Sequence, residues 1–164
     1  QLILNFKEKK IEQKWYNPFS IFSIFLLLSI MITYRDQKRN KRSKFLDFLL
    51  FFITGFLGAI ICFLWFFTNH STTPNNFNLL WAFFPNLFVA FILLQKNIPN
   101  WVVKYINFYL ILLSITLFVF VLGRWNGVNG YLFGIQEFSF VLLPIISMLF
   151  VRSVYLQKIL NTKN

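Results

Sequence analysis

Residues 46–68 read LDFLLFFITGFLGAIICFLWFFT. One acid, Asp47, opens the stretch, and no charge follows it. About 20 mainly apolar residues carry an α-helix across a bilayer core of about 30 Å, so the run reads as a membrane span. It lacks the apolar–polar alternation of a barrel strand, and lipid tolerates only helices or closed barrels. The same reading, moved outward, finds four more runs, at 18–34, 77–95, 102–123 and 131–155. The first is short and is extended by Trp15 and Tyr16, an aromatic pair suited to the membrane interface. The expectation is an all-α polytopic bundle of five transmembrane helices over 18–164, preceded by a linker or interfacial helix at 1–17.

Composition agrees. The 164 residues are 57% hydrophobic, 21% aromatic and 13% charged, against about 45–50% apolar and about 25% charged in a soluble domain. A net charge of +11 would fit a nucleic-acid binder. The apolar fraction and the placement of the charges, most of them outside the apolar runs, exclude that partner and favour lipid. One cysteine, Cys62, lies between Ile61 and Phe63, so neither a disulfide framework nor a cysteine metal cluster is available. No HExxH or cysteine–histidine spacing occurs, and no cofactor or metal is expected. Residues 1–17 carry no signal-peptide pattern and begin with Gln. The chain is therefore expected to be part of something longer.

Charge placement orients the bundle. RDQKRNKRSK, 35–44, holds six basic residues and one acid, whereas 69–76 holds no fixed charge. Lys96 and Lys104 flank the next link, and Arg152, Lys158 and Lys163 mark the tail. Basic links stay in the cytoplasm. The N-terminus is then outside and the C-terminus cytoplasmic, in spite of four lysines in FKEKKIEQKW, 6–15, which Glu8 and Glu12 partly balance. The expected location is a bacterial inner membrane.

Candidate sites gather at the outer mouth. TNHSTTPNNFNLLWAFFPN, 68–86, contains the only histidine. Asn69 and His70 end the second run, and Asn75 lies in the turn after it. Asn76 or Asn78 is placed to cap the third run. Asn78, Trp81 and Pro85, at i, i+3 and i+7, fall on one helical face. The plain reading is a capped loop with an interfacial tryptophan; the functional one is a polar pocket at the outer leaflet. Glu137, beside Gln136, lies about six residues into the fifth run, and an acid within a span is a functional candidate by default. Arg124 or His70 would partner it; the alternative is a structural ion pair. Asp47, in a helix's first turn beside basic residues, reads as structural. Gly55 and Gly58 allow close helix contact, but they are not a GxxxG pair. GRWNGVNGY, 123–131, lacks the strand-to-helix context of a phosphate loop. No nucleophile–base–orienter set is present, so no catalytic residue is assigned.

These residues resemble a known family. Trp15 and Pro18 open a span, a basic link follows, then the 45–86 stretch, then QEFSF with a late arginine. The pattern is similar to the membrane half of bacterial proteins with an Lnb-type N-terminal periplasmic domain. It is carried most specifically by Asp47, Gly55, Gly58, Trp65, Thr68, His70, Thr73, Asn76, Asn78, Leu80, Trp81 and Pro85. The resemblance leads one to expect an acid where Asn69 stands, and this departure argues against catalysis through that position. It implies an upstream papain-like or amidase-like domain with a cysteine–histidine pair, acting in lipoprotein acyl transfer or amide hydrolysis. The chain would then anchor that domain and contact membrane lipids, the domain itself or a lipoprotein substrate. Its mouth would comprise Asn69, His70, Asn75, Asn76, Asn78, Trp81, Arg124, Gln136 and Glu137. Two alternatives stand beside it: a scaffold subunit of an envelope complex, and an ion-linked transporter using Glu137.

Overall fold

The computed structural model describes residues 17–67, 76–125 and 139–162. Among them are five α-helices and no strand: α1 (Pro18–Arg39), α2 (Lys44–Phe67), α3 (Asn86–Leu93), α4 (Asn100–Trp125) and α5 (Ser139–Asn161). A 3-10 turn, Phe77–Leu80, comes before α3. Helices α1, α2, α4 and α5 are long and apolar enough to cross a membrane. Helix α3 is not: its 8 residues rise about 12 Å. The expected single helix over 77–95 is thus corrected to a 3-10 turn and a short helix. The physical reason is Pro85, whose ring removes an N–H from the helical ladder.

The first helix also differs from expectation, continuing through Arg39 instead of stopping near Tyr34. Asn17 caps its start by accepting from the Ser20 N–H at 2.7 Å, and Pro18 occupies the first turn, where no N–H is required. Asn40 ends it in the left-handed conformation, φ 48°. The buried positions of α1 are Ser29, Thr33 and Asp36, spaced i, i+4, i+7 on one face. Most of its leucines and isoleucines instead point outward, with Ile24, Leu27 and Leu28 exposed, as is Met31. Such an inverted pattern suits lipid, where apolar side chains gain nothing by leaving the surface and small polar ones knit helices together. Helix α1 packs chiefly on α5, α2 on α3, and α4 on α5.

One side chain ties three helices together. Arg152 of α5 is completely buried. Its Nε donates to Asp47 of α2, its Nη2 to Asp36 of α1 at 2.8 Å, and its Nη1 to Thr33 of α1 at 3.2 Å. Asp36 is engaged further: Ser43 donates to it through N–H at 2.8 Å and through Oγ at 2.7 Å. The second oxygen of Asp47 lies 3.6 Å from Arg42 Nε, within ion-pair range but too far for a hydrogen bond. Arg42 continues the network to α3, donating from Nη2 to the Leu93 carbonyl at 2.7 Å. Burial pulls the Arg42 guanidinium below its ordinary value while Asp47 works the other way; arginine stays charged throughout the physiological range. Tyr155 adds a bond to the Lys41 carbonyl at 2.7 Å and lies under the Arg152 guanidinium. Arg152, counted above with the tail, and Asp36, the one acid of the basic link, are both buried members of this network. The structural reading of Asp47 gains its partners, Arg152 and Arg42.

Removing one member of such a network leaves charge buried without a partner. Arg152→Met is expected to cost about 3–5 kcal/mol, read as loss of thermal stability in detergent. Arg152→Met combined with Asp47→Leu should recover part of that loss. A single variant as stable as the parent would show the network to be dispensable.

Candidate functional site

Pro85 decides the shape of the half of the bundle opposite the Arg152 network. In an unbroken helix its N–H would meet the Trp81 carbonyl, and proline has none to offer. The helical pattern closes at Ala82, whose N–H donates to Asn78 at 2.8 Å. It restarts with tight i−3 bonds, Asn86 to Phe83 at 2.9 Å and Leu87 to Phe84 at 3.0 Å. The stranded Trp81 carbonyl accepts instead from the Tyr109 hydroxyl of α4 at 2.7 Å. Backbone groups away from water must find such partners.

The first residue after the break is Asn86, with no exposed surface. Its Nδ2 donates to Thr54 Oγ1 of α2 at 3.1 Å, and its Oδ1 accepts from the Tyr105 hydroxyl of α4. Tyr105 and Tyr109 stack, with ring centroids 6.4 Å apart, and Phe51 of α2 closes on Tyr109 at 5.5 Å. A polar seam of Thr54, Trp81, Asn86, Tyr105 and Tyr109 therefore joins α2, the broken segment and α4.

Two glycines let the irregular backbone reach the seam. A Cβ at Gly55 would fall 2.1 Å from Leu87 N, and one at Gly58 would fall 2.0 Å from the Ala82 carbonyl oxygen. Both obstacles are main chain, which has no rotamer to move away. The close contact expected of this glycine pair is thus with the broken segment, backbone to backbone.

Above the seam lies the described part of the expected mouth. Asn76 caps the 3-10 turn, accepting from the Asn78 N–H at 3.0 Å and from Asn78 Nδ2 at 2.8 Å. Asn78 Oδ1 then accepts from Trp81 Nε1 at 2.8 Å. The expected cap is present, and Asn78 meets Trp81 as their i, i+3 spacing requires. The longer face running on to Pro85 does not form, because the helix that would carry it is broken. Asn69, His70, Asn75, Gln136 and Glu137 lie outside the described residues, as does the side chain of Arg124.

Sequence reasoning missed Thr54, Asn86, Tyr105 and Tyr109 as one group. The signals were an amide next to an in-span proline and two tyrosines four apart on one helical face. Among the described residues, amides, hydroxyls and an indole N–H make up the seam and the mouth. These groups bind and orient through hydrogen bonds, and none is a ready base at neutral pH.

Residues 10–164 match a family model described as the Lnb transmembrane domain. No curated protein and no solved structure matches the chain.

Tyr109→Phe should strand the buried Trp81 carbonyl at a cost of about 1–3 kcal/mol, measured as a lower melting temperature in detergent. Gly55→Ala forces the segment away from α2 and is expected to destabilise by about 1–3 kcal/mol or more. An Ala variant melting with the parent would contradict the close backbone contact.

Proposed function

The chain belongs to the family of Lnb transmembrane domains, and on that premise we propose that it is the membrane-anchoring, lipid-contacting module of an envelope protein whose catalytic domain precedes it in sequence. The upstream domain carries out acyl transfer or amide hydrolysis on a lipid-bearing substrate, a lipoprotein in the first instance. The membrane module supplies no catalytic group. It holds the domain at the outer face of the inner membrane and presents a polar mouth to the lipid or to the domain's underside. The basic end of the bundle, with Lys41, Lys44 and Lys96, faces the cytoplasm in keeping with the bias of basic links.

One observation carries this reading: the Asn76–Asn78–Trp81 chain sits directly on a break in a membrane segment. Irregular backbone at membrane depth is tolerated where protein buries it or where it lines a cavity, and membrane proteins build substrate sites at such breaks. Tryptophan and asparagine are suited to the boundary between head groups and acyl chains. By chain position, Asn69, His70 and Asn75 fall in the link between α2 and the 3-10 turn, Arg124 in the last turn of α4, and Gln136 and Glu137 in the link that leads to α5.

The test is Asn78→Ala with Trp81→Phe in the full-length protein, assayed for lipoprotein acylation. Loss of the two linked hydrogen bonds is expected to lower acylation about tenfold at unchanged membrane level. Full acylation at unchanged level would refute the reading. Loss of the protein from the membrane would assign both residues to stability alone and refute it equally.

A further inference from the structure

The opposite end of the bundle holds a feature that the proposed function does not use. An open depression of about 680 Å³ lies between the α1–α2 turn, the α3–α4 link and the last turn of α5. Lys41, Arg42, Lys44 and Lys96 line it, and no acid does. The nearby charges do not cancel them all. Arg42 and Arg152 are matched by Asp36 and Asp47, which leaves the three lysines in surplus.

Arg42 supplies an independent sign. Its side chain is only 7% exposed. Its Nη2 is occupied, by the Leu93 carbonyl at 2.7 Å and the Gln95 carbonyl at 3.3 Å. Its Nη1 is buried and has no hydrogen-bond partner among the described residues. A buried guanidinium donor without an acceptor is costly, and an oxyanion is its best complement. Lys44 already bonds the Leu94 carbonyl at 3.2 Å, so it and Arg42 are held in place by the C-terminal end of α3.

We propose that this depression binds the phosphate head group of an anionic phospholipid. Arg42 and the three lysines meet the phosphate, and the aliphatic side chains of Ile98, Val103, Ile159 and Leu160 receive the first part of the acyl chains. The placement favours a lipid over a soluble phosphate. The depression lies where α1 and α5 end and α2 and α4 begin, at the level where spans meet the head groups. Basic pockets between spanning helices suit anionic head groups.

The experiment uses the full-length protein in detergent, titrated with phosphatidylglycerol, phosphatidylcholine or inorganic phosphate and read by native mass spectrometry. Phosphatidylglycerol is expected to bind at one saturable site, and millimolar phosphate should not displace it. The triple variant Lys41→Gln/Lys44→Gln/Lys96→Gln should weaken binding by about fivefold per lysine, about a hundredfold in all. A control, Arg35→Gln/Lys38→Gln/Arg39→Gln, removes the same charge from exposed positions of α1 outside the depression and should change binding little. Equal loss in the control, equal binding of phosphatidylcholine, or displacement by inorganic phosphate would each overturn the proposal. Should the triple variant not fold, Lys96→Gln alone, at an exposed position, carries the same test with an expected loss of about fivefold.

Discussion

A guanidinium taken wholly out of water must be met by acids and acceptors on every side, and Arg152 sets that condition for the bundle. Asp36, Asp47 and Thr33 meet it from two other helices, so α1, α2 and α5 share one fixed register. Slippage of any of them by a turn, about 5.4 Å, would leave a charge unmatched in a medium that cannot hydrate it. Lipid gives no hydrophobic reason for helices to associate, so this network and close packing select the arrangement. Through Arg42 and the Leu93 carbonyl the same network reaches α3.

The other half of the bundle obeys a different constraint, the satisfaction of main-chain groups. Pro85 removes one donor, and the neighbours are arranged around the result. Tyr109 takes the stranded carbonyl, Asn86 bridges α2 and α4, and Gly55 and Gly58 give up their side chains so that the irregular backbone can approach. Polar residues inside a span are here a consequence of the break. They also bring the Asn76–Asn78–Trp81 chain to a set position at the top of the segment. The chain thus has an ionic network and an amide–hydroxyl seam, set in one apolar core that includes Phe51, Leu113 and Ile146.

Much of this was legible in the sequence, for reasons that mark where legibility stops. The spans 46–68 and 102–123 are readable because bilayer thickness fixes length and composition together. Membership in the Lnb transmembrane family was readable from the residues around 45–86, where glycine, proline and capping asparagine each meet a main-chain requirement. The division of 77–95 was half visible: Pro85 was there to be weighed, but whether a proline bends or breaks a span depends on which neighbours accept the stranded carbonyl. Tyr109 lies 28 positions away, beyond the reach of local pattern. The pairing of Arg152 with Asp36 was not legible for a sharper reason. Both stand at the ends of apolar runs, where charges usually face water, and a tally of basic residues cannot tell a paired arginine from a free one. Much of the expected mouth falls in 68–75 and 126–138, outside the described residues.

The span of chain between Asp36 and Arg152, 116 positions, also sets an order of events during synthesis. Both acids are made before the arginine that neutralises them, by on the order of ten seconds at ribosomal speeds. Throughout that interval α1 offers the membrane a face of Ser29, Thr33 and Asp36 with no α5 to receive it. Arg42, emitted between the two acids and beside Asp47 in the finished bundle, is a cation that can attend them meanwhile. Closure of the bundle is therefore a late step that waits for the last helix, and the buried arginine works as the latch that completes assembly.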